Sequence, residues 1–204
     1  MEFEIEIPKE KSDLWSDHCP IVKSRDGRNI QVFLTDAIDA AGFYNELVFT
    51  LNNTVEGDVV KFHINNGGGD IDSAFFIRDA LLNCKAKTIA RLSGTVASAS
   101  TVITLACDEV EVTPFLSFMS HNYSHGTHGS GNQVKGYVDF TDRELKRAFR
   151  EVYTNFLTED EIALVTEQDK EIWLNEIEVA ERWAKYKKAK SQVSEAYVEV
   201  DSEV

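Results

Sequence analysis

The chain has 204 residues, 43% of them apolar, and no long linker, so it can bury one good core and is most simply one domain. A net charge of −14 argues against a binder of nucleic-acid phosphates and for a soluble protein. The three cysteines, Cys19, Cys84 and Cys107, are widely spaced with no CxxC pair, which argues against a disulfide framework or a zinc knuckle and fits a reducing, cytoplasmic setting.

In chain order, Met1 to Ile7 alternates acidic and apolar residues and is not expected to act as a secretion signal; no stretch is apolar for long enough to cross a bilayer. Asn29 to Leu34 reads as a strand and Ile38 to Leu51 as an amphipathic helix with Ala41, Leu47 and Leu51 inward. Asp58 to Ile64 is the next strand, followed by the loop Asn65-Asn66-Gly67-Gly68-Gly69-Asp70. Ile71, Ala74, Phe75, Arg78, Leu81 and Leu82 then recur at helical spacing, so the loop runs into a helix N-terminus. Thr88 to Leu92 is a third strand and the charge-free Ser98 to Cys107 a buried helix; Glu109 to Thr113 and Leu116 to Ser120 are short strands around Pro114. Val134 to Leu157, Glu159 to Thr166 and Glu176 to Lys187 read as helices, and a basic run, Lys185 to Lys190, precedes an acidic tail from Glu195. Strands alternating with helices predict an α/β protein with a buried, largely parallel sheet.

The chemistry gathers around Ser98. A serine hydroxyl needs an adjacent base to become a nucleophile, and the tetrahedral intermediate it forms needs N–H donors aimed at the oxyanion. Ser98 falls where a strand turns into a buried helix, with free N–H groups and the positive end of the helix dipole at hand. The Ala99 N–H is one candidate donor, the Gly69 N–H a second, and His121, ending a short strand, is the candidate base. Each feature has a plainer reading. A serine at a helix start is commonly an N-cap, and a glycine run between strand and helix is commonly a turn. The spacing His121-x3-His125-x2-His128 suggests a metal, but it supplies three ligands in a Gly/Ser-rich stretch where structural zinc takes four, so no metal is expected.

Together these segments resemble the ClpP-like serine peptidases, the proteolytic subunits of the ATP-dependent Clp protease, from about Asn29 to Trp183. Ile64 to Ile71 resembles the family's I-N-S-P-G-G-x-[VI] loop, Gly94 to Ser100 its G-x-A-A-S-M-G nucleophile motif, and Pro114 to His121 its P-N-x-x-x-M-I-H strand. The resemblance places the nucleophile at Ser98 rather than Ser100 and the base at His121 rather than His125 or His128. It also implies a third catalytic member, because Lys170 to Asn175 is similar to the family's R-D-x-[FW]-[LM]-[ST] segment. Ungapped, that match puts Glu171 where the family carries aspartate, with Asp169 as the alternative. Gly67 stands for the loop proline and Ser100 for the glycine after the Ser98-Ala99 pair, while His121-Asn122-Tyr123 replaces H-Q-P.

What the resemblance implies is a ClpP/crotonase-type spiral ββα superfold with a protruding handle helix at Val134 to Leu157. Residues 1–28 would form an N-terminal segment with a possible axial loop, 29–184 the peptidase domain and 185–204 a charged tail. It implies a serine endopeptidase acting on unfolded polypeptides inside stacked six- or seven-membered rings of this chain, with an AAA+ unfoldase as partner and no cofactor, nucleic acid or membrane. Three other readings compete. A ring subunit without activity would draw on the Glu171 change; a crotonase-like acyl-CoA enzyme would lack the Ser98–His121 pair; a Ser-Lys dyad would need a lysine that no motif assigns.

Overall fold

The computed structural model describes residue 19 and residues 21–201, with side chains described as far as residue 190. The expected axial loop and the acidic tail's side chains therefore lie largely outside the described residues. Two compact units emerge, one reaching to Met119 and including Leu174–Glu176, the other comprising Ser120–Trp173 and the chain from Ile177 onward.

The first unit is built on a sheet. Its strands are β1 (Ile21–Lys23), β2 (Asn29–Leu34), β3 (Val59–Asn66), β4 (Lys87–Ala97), β5 (Glu109–Val112) and β6 (Ser117–Ser120), joined by β7 (Ile172–Asn175). The order is β1-β2-β3-β4-β6-β7, with β5 also on β4. β1 is antiparallel to β2, whereas the pairs β2–β3, β3–β4, β4–β5 and β4–β6 are parallel. Its helices are α1 (Asn45–Asn52), α2 (Ile71–Leu82) and α3 (Ala99–Ala106).

Period-two alternation builds the core. Ile30, Val32 and Leu34 on β2, Val60, Phe62 and Ile64 on β3, and Ala90 and Leu92 on β4 are all buried. Burying a side chain such as Phe62 or Ile64 contributes about 2–3 kcal/mol. The alternate residues are not buried. Lys61 pairs with Glu111 at 2.9 Å, Arg91 reaches the same carboxylate at 3.4 Å, and Phe33 stacks on His63 at 4.7 Å between ring centroids. Within this unit the sheet is thus apolar on one face and polar on the other, not buried on both as a parallel sheet leads one to expect.

The other departures from expectation are local. In place of one helix from Ile38, a 3-10 turn at Ala41–Tyr44 leads into α1, because the backbone of Ile38 is bridged to the glycine loop. Leu47 and Leu51 are buried as expected, but Ala41 is exposed on the turn. On α2, Leu82 is also exposed, and Ala74, Ile77, Ala80 and Leu81 form the buried stripe. β4 runs to Ala97, five residues beyond its expected end at Leu92. Its first half pairs with β5 and its last three residues with β6, so Pro114 breaks one edge into two successive partners.

The second unit holds α4 (Gly131–Tyr153), α5 (Glu159–Gln168) and α6 (Glu176–Asp201). α4, the expected handle, starts three residues early because Gln133 accepts from the Ser130 N–H at 3.1 Å and from its hydroxyl at 2.8 Å. It ends at Tyr153, before Asn155 takes a positive φ of 69°. Phe149, Val152 and Phe156 are buried, whereas Val138 and Leu145 are half-buried. α5 opens with a capping box, Thr158 with Glu161.

Glu161 also takes a bidentate ion pair from Arg182 at 2.6 and 2.8 Å, whose hydrogen bonds hold its carboxyl down at about 2 from the usual 4.5. A depressed carboxyl stabilises the fold above its unfolded pKa, and that contribution is lost as pH falls through the folded value. Arg182→Met should therefore cost about 1–2 kcal/mol at pH 7 in urea denaturation, given partial solvent screening. The gap to wild type should shrink as pH falls from 4.5 towards 2. A gap that stays constant over that range would assign the loss to packing alone.

Candidate active site

Ser98 sits at the carboxyl end of β4 and at the N-cap of α3, the end of a parallel sheet where α/β proteins place their ligands. Its backbone is unusual. With φ 57° and ψ −127° it lies in a region that a non-glycine residue occupies at a cost of about 1–3 kcal/mol. Its hydroxyl makes no capping hydrogen bond to α3, so the plain N-cap reading does not account for this serine. The Ser98 N–H donates to the Met119 carbonyl at 2.8 Å, and its own carbonyl accepts from the Thr101 N–H at 2.9 Å and the Thr101 hydroxyl at 2.7 Å. These bonds fix the turn on both sides. Ser98 itself is half-buried, whereas Ser100 is fully buried.

The glycine loop lies directly against this turn. A Cβ added at Gly68, whose φ is 93°, would sit 2.6 Å from the Ala97 carbonyl oxygen, 2.6 Å from Ser98 Cβ and 2.8 Å from Ala99 N. No other residue type fits there without movement. On its far side the loop is braced by Ile38, whose N–H donates to the Gly68 carbonyl at 2.9 Å and whose carbonyl accepts from the Asp70 N–H at 2.7 Å. Gly69, at φ 148°, is crowded against the Ile38 backbone. The Gly68 N–H donates to Asn66 Oδ1 at 2.9 Å, and Asp70 then caps α2 by accepting from the Ser73 N–H at 2.7 Å. Gly68, which precedes Gly69 in the chain, is thus packed against Ser98 and Ala99 within the first unit. The residue packed on the serine turn is Gly68, to which the sequence motifs assign no role; the asparagine two residues ahead of it, the signature of an Asx turn, is the local signal for its conformation.

In the second unit, His121 is half-buried at the start of the segment leading to α4. Its neighbour Asn122 donates from Nδ2 to Asp169 Oδ1 at 2.7 Å. Asp169 is the left-handed C-cap of α5, with φ 53° and ψ 37°, a conformation that aspartate tolerates better than most residues. Glu171 behaves differently: its Oε2 accepts from the Trp173 indole N–H at 2.9 Å. Of the two candidate acids, Asp169 is therefore the one joined to the His121-Asn122 segment.

That segment is anchored on α4. The Tyr123 hydroxyl donates to Asp142 at 3.0 Å, and burial followed by this hydrogen bond pushes the phenol pKa up. His125 stacks on Tyr123 at 5.2 Å and meets Tyr137 edge-on at 5.6 Å. His125 is thus accounted for by aromatic packing, and among the described residues no cluster of three or more His, Cys, Asp or Glu side chains is placed to hold a metal ion. Nor is any described helix long and apolar enough to cross a membrane.

Comparison with known proteins identifies the family and the fold. Residues 18–182 match the family model described as Clp protease. The chain is 30% identical over 153 residues to the ATP-dependent Clp protease proteolytic subunit 2 of Pseudomonas aeruginosa, covering 71% of this chain and 73% of that protein. Its fold is similar to that of a ClpP1 variant from Listeria monocytogenes, with a TM-score of 0.60 at 20% identity over 74% of this chain and 86% of the other. The fold is therefore the ClpP-type α/β fold, and the chain belongs to the Clp protease family.

Proposed function

We propose that this chain is a serine endopeptidase that cleaves unfolded polypeptide inside a chamber formed by rings of its own copies, fed by an AAA+ unfoldase in the cytoplasm. The observation that carries the reading is the Ser98 turn. A half-buried serine, held at a strained φ by backbone bonds and packed against a glycine loop, has no capping role to explain it.

In the proposed reaction Ser98 Oγ attacks the scissile carbonyl carbon as His121 takes its proton. The carbonyl oxygen becomes an oxyanion held by the Gly69 and Ala99 N–H groups. On collapse the C–N bond breaks and His121 returns the proton to the leaving amine. Water then attacks the acyl-enzyme, with its proton passing to His121 and on to Ser98 Oγ as the acid product leaves. A carboxylate orients His121 and stabilises its charged form. Glu171 occupies the ungapped position for that role, but the Asn122 hydrogen bond favours Asp169. Asp169→Ala is therefore expected to lower kcat on a fluorogenic peptide about a thousandfold. Glu171→Ala should stay within several-fold of wild type, and the opposite ranking would return the role to Glu171.

The direct test is intact-mass analysis of the purified protein after treatment with a fluorophosphonate. One adduct on wild type, absent from Ser98→Ala, is the expected result. An assembled ring that takes no adduct would instead identify a subunit without serine chemistry.

A further inference from the structure

Three consecutive glycines are a poor way to hold a catalytic donor still. Glycine loses more backbone entropy on ordering than any other residue, so the Gly67-Gly68-Gly69 loop must be fixed by its surroundings. One side chain does much of this. Asn66, the last residue of β3, is 6% exposed and makes three hydrogen bonds to three separate elements. Its Nδ2 donates to the Leu34 carbonyl at the end of β2 at 2.8 Å. Its Oδ1 accepts from the Gly68 N–H at 2.9 Å and from the hydroxyl of Ser100 on α3. The partners determine the amide's orientation: a backbone carbonyl can only accept and an N–H can only donate, so Oδ1 faces the loop and Ser100 must be the donor.

Resting on the peptidase reading above, we propose that Asn66 and Ser100 are positioning residues for the oxyanion donors, a buried clamp that fixes the glycine loop against the Ser98 turn. One end of the clamp holds Gly68, immediately before the Gly69 donor. The other end holds Ser100, immediately after the Ala99 donor and two residues from the nucleophile. Both proposed donors are thereby referred to a single oxygen atom, so their separation is set by side-chain geometry and not by a flexible loop. Ser100 is fully buried, and neither residue is proposed to touch substrate. The clamp acts at the transition state, where a misplacement of donors costs rate more than binding.

The expected result follows from that division. Ser100→Ala should lower kcat about tenfold and Asn66→Ala about a hundredfold on a fluorogenic peptide, with KM within twofold of wild type. The pH–rate profile should keep its midpoints, because the proton-transfer groups are not altered. The inhibition constant of a peptide boronic acid, whose tetrahedral adduct presents an oxygen to the same donors, should rise by the factor that kcat falls. The double variant should be no slower than Asn66→Ala, since Ser100 acts through Asn66.

Effects of the two substitutions that multiply, a loss confined to KM, or boronate affinity unchanged while kcat drops would each overturn the clamp. Should Asn66→Ala not fold, Ser100→Ala decides the matter alone, through the parallel change in kcat and boronate inhibition. Wild type is assayed beside the variants with the fluorophosphonate. Failure of wild type to react would sink the peptidase reading and the clamp with it, whereas a reactive wild type matched in rate by Ser100→Ala would sink the clamp only.

Discussion

Replacing Ser98 by glycine should abolish peptide hydrolysis and at the same time raise the melting temperature. The two effects have one origin. Loss of the hydroxyl removes the proposed nucleophile, and kcat should fall by at least about 10⁴-fold. The backbone at φ 57°, ψ −127° is open to glycine but costly for a residue with a Cβ. Relief of that strain, offset by glycine's greater freedom in the unfolded chain, leaves a net gain of about 1 kcal/mol. For a chain of this size that corresponds to about 2–4 °C. Ser98→Ala separates the two causes. It removes the hydroxyl but keeps the Cβ, so activity should vanish while the melting temperature stays within about 1 °C of wild type. If glycine and alanine gave the same melting temperature, the turn would not be storing strain, and the Ser98 backbone would be no sign of a functional serine.

The second large effect is expected at Gly68. An alanine there must hold a φ of 93° and place its Cβ 2.6 Å from the Ala97 carbonyl oxygen and from Ser98 Cβ. Both neighbours belong to the turn itself, so neither can swing away as a surface side chain would. The loop must retreat, carrying Gly69 from its braced contact with Ile38. Gly68→Ala should lower kcat at least about a hundredfold, as removal of an oxyanion donor does. It should also cost about 2–4 kcal/mol in stability by the combined backbone and steric penalties. Gly67→Ala is the control: a Cβ there meets nothing within 4 Å, and its φ does not demand glycine. That variant should keep its activity to within twofold. Equal losses at the two positions would mean that loop flexibility, not contact with the Ser98 turn, is what matters.

Much of the scaffold could be read from residue order, because its causes are local. Alternation in Asn29 to Leu34 marks β2 with its observed ends, and the apolar spacing from Ile71 marks where α2 begins. The strand-to-helix junction at Ser98 and the glycine run ahead of α2 likewise needed only nearest neighbours to be recognised. What remained hidden depends on residues far apart in the chain. That the Ser98 backbone is strained, and that Gly68 is the residue packed on it, follows only when the end of β3 meets the start of α3. Asn66 bonds Leu34 and Ser100 across 32 and 34 positions, and Asn122 bonds Asp169 across 47. An ungapped match puts Glu171 opposite the family's aspartate, yet a hydrogen bond answers to where a carboxylate comes to rest. The left-handed turn that ends α5 brings Asp169 to Asn122 while Glu171 bonds the Trp173 indole. Periodicity is a property of short segments, so the chain by itself determines most of the longer elements and the serine's place at a strand-to-helix junction. The fit of the glycine loop on the Ser98 turn and the partners of Asp169 and Glu171 arise where distant segments close-pack, so only the tertiary structure decides them.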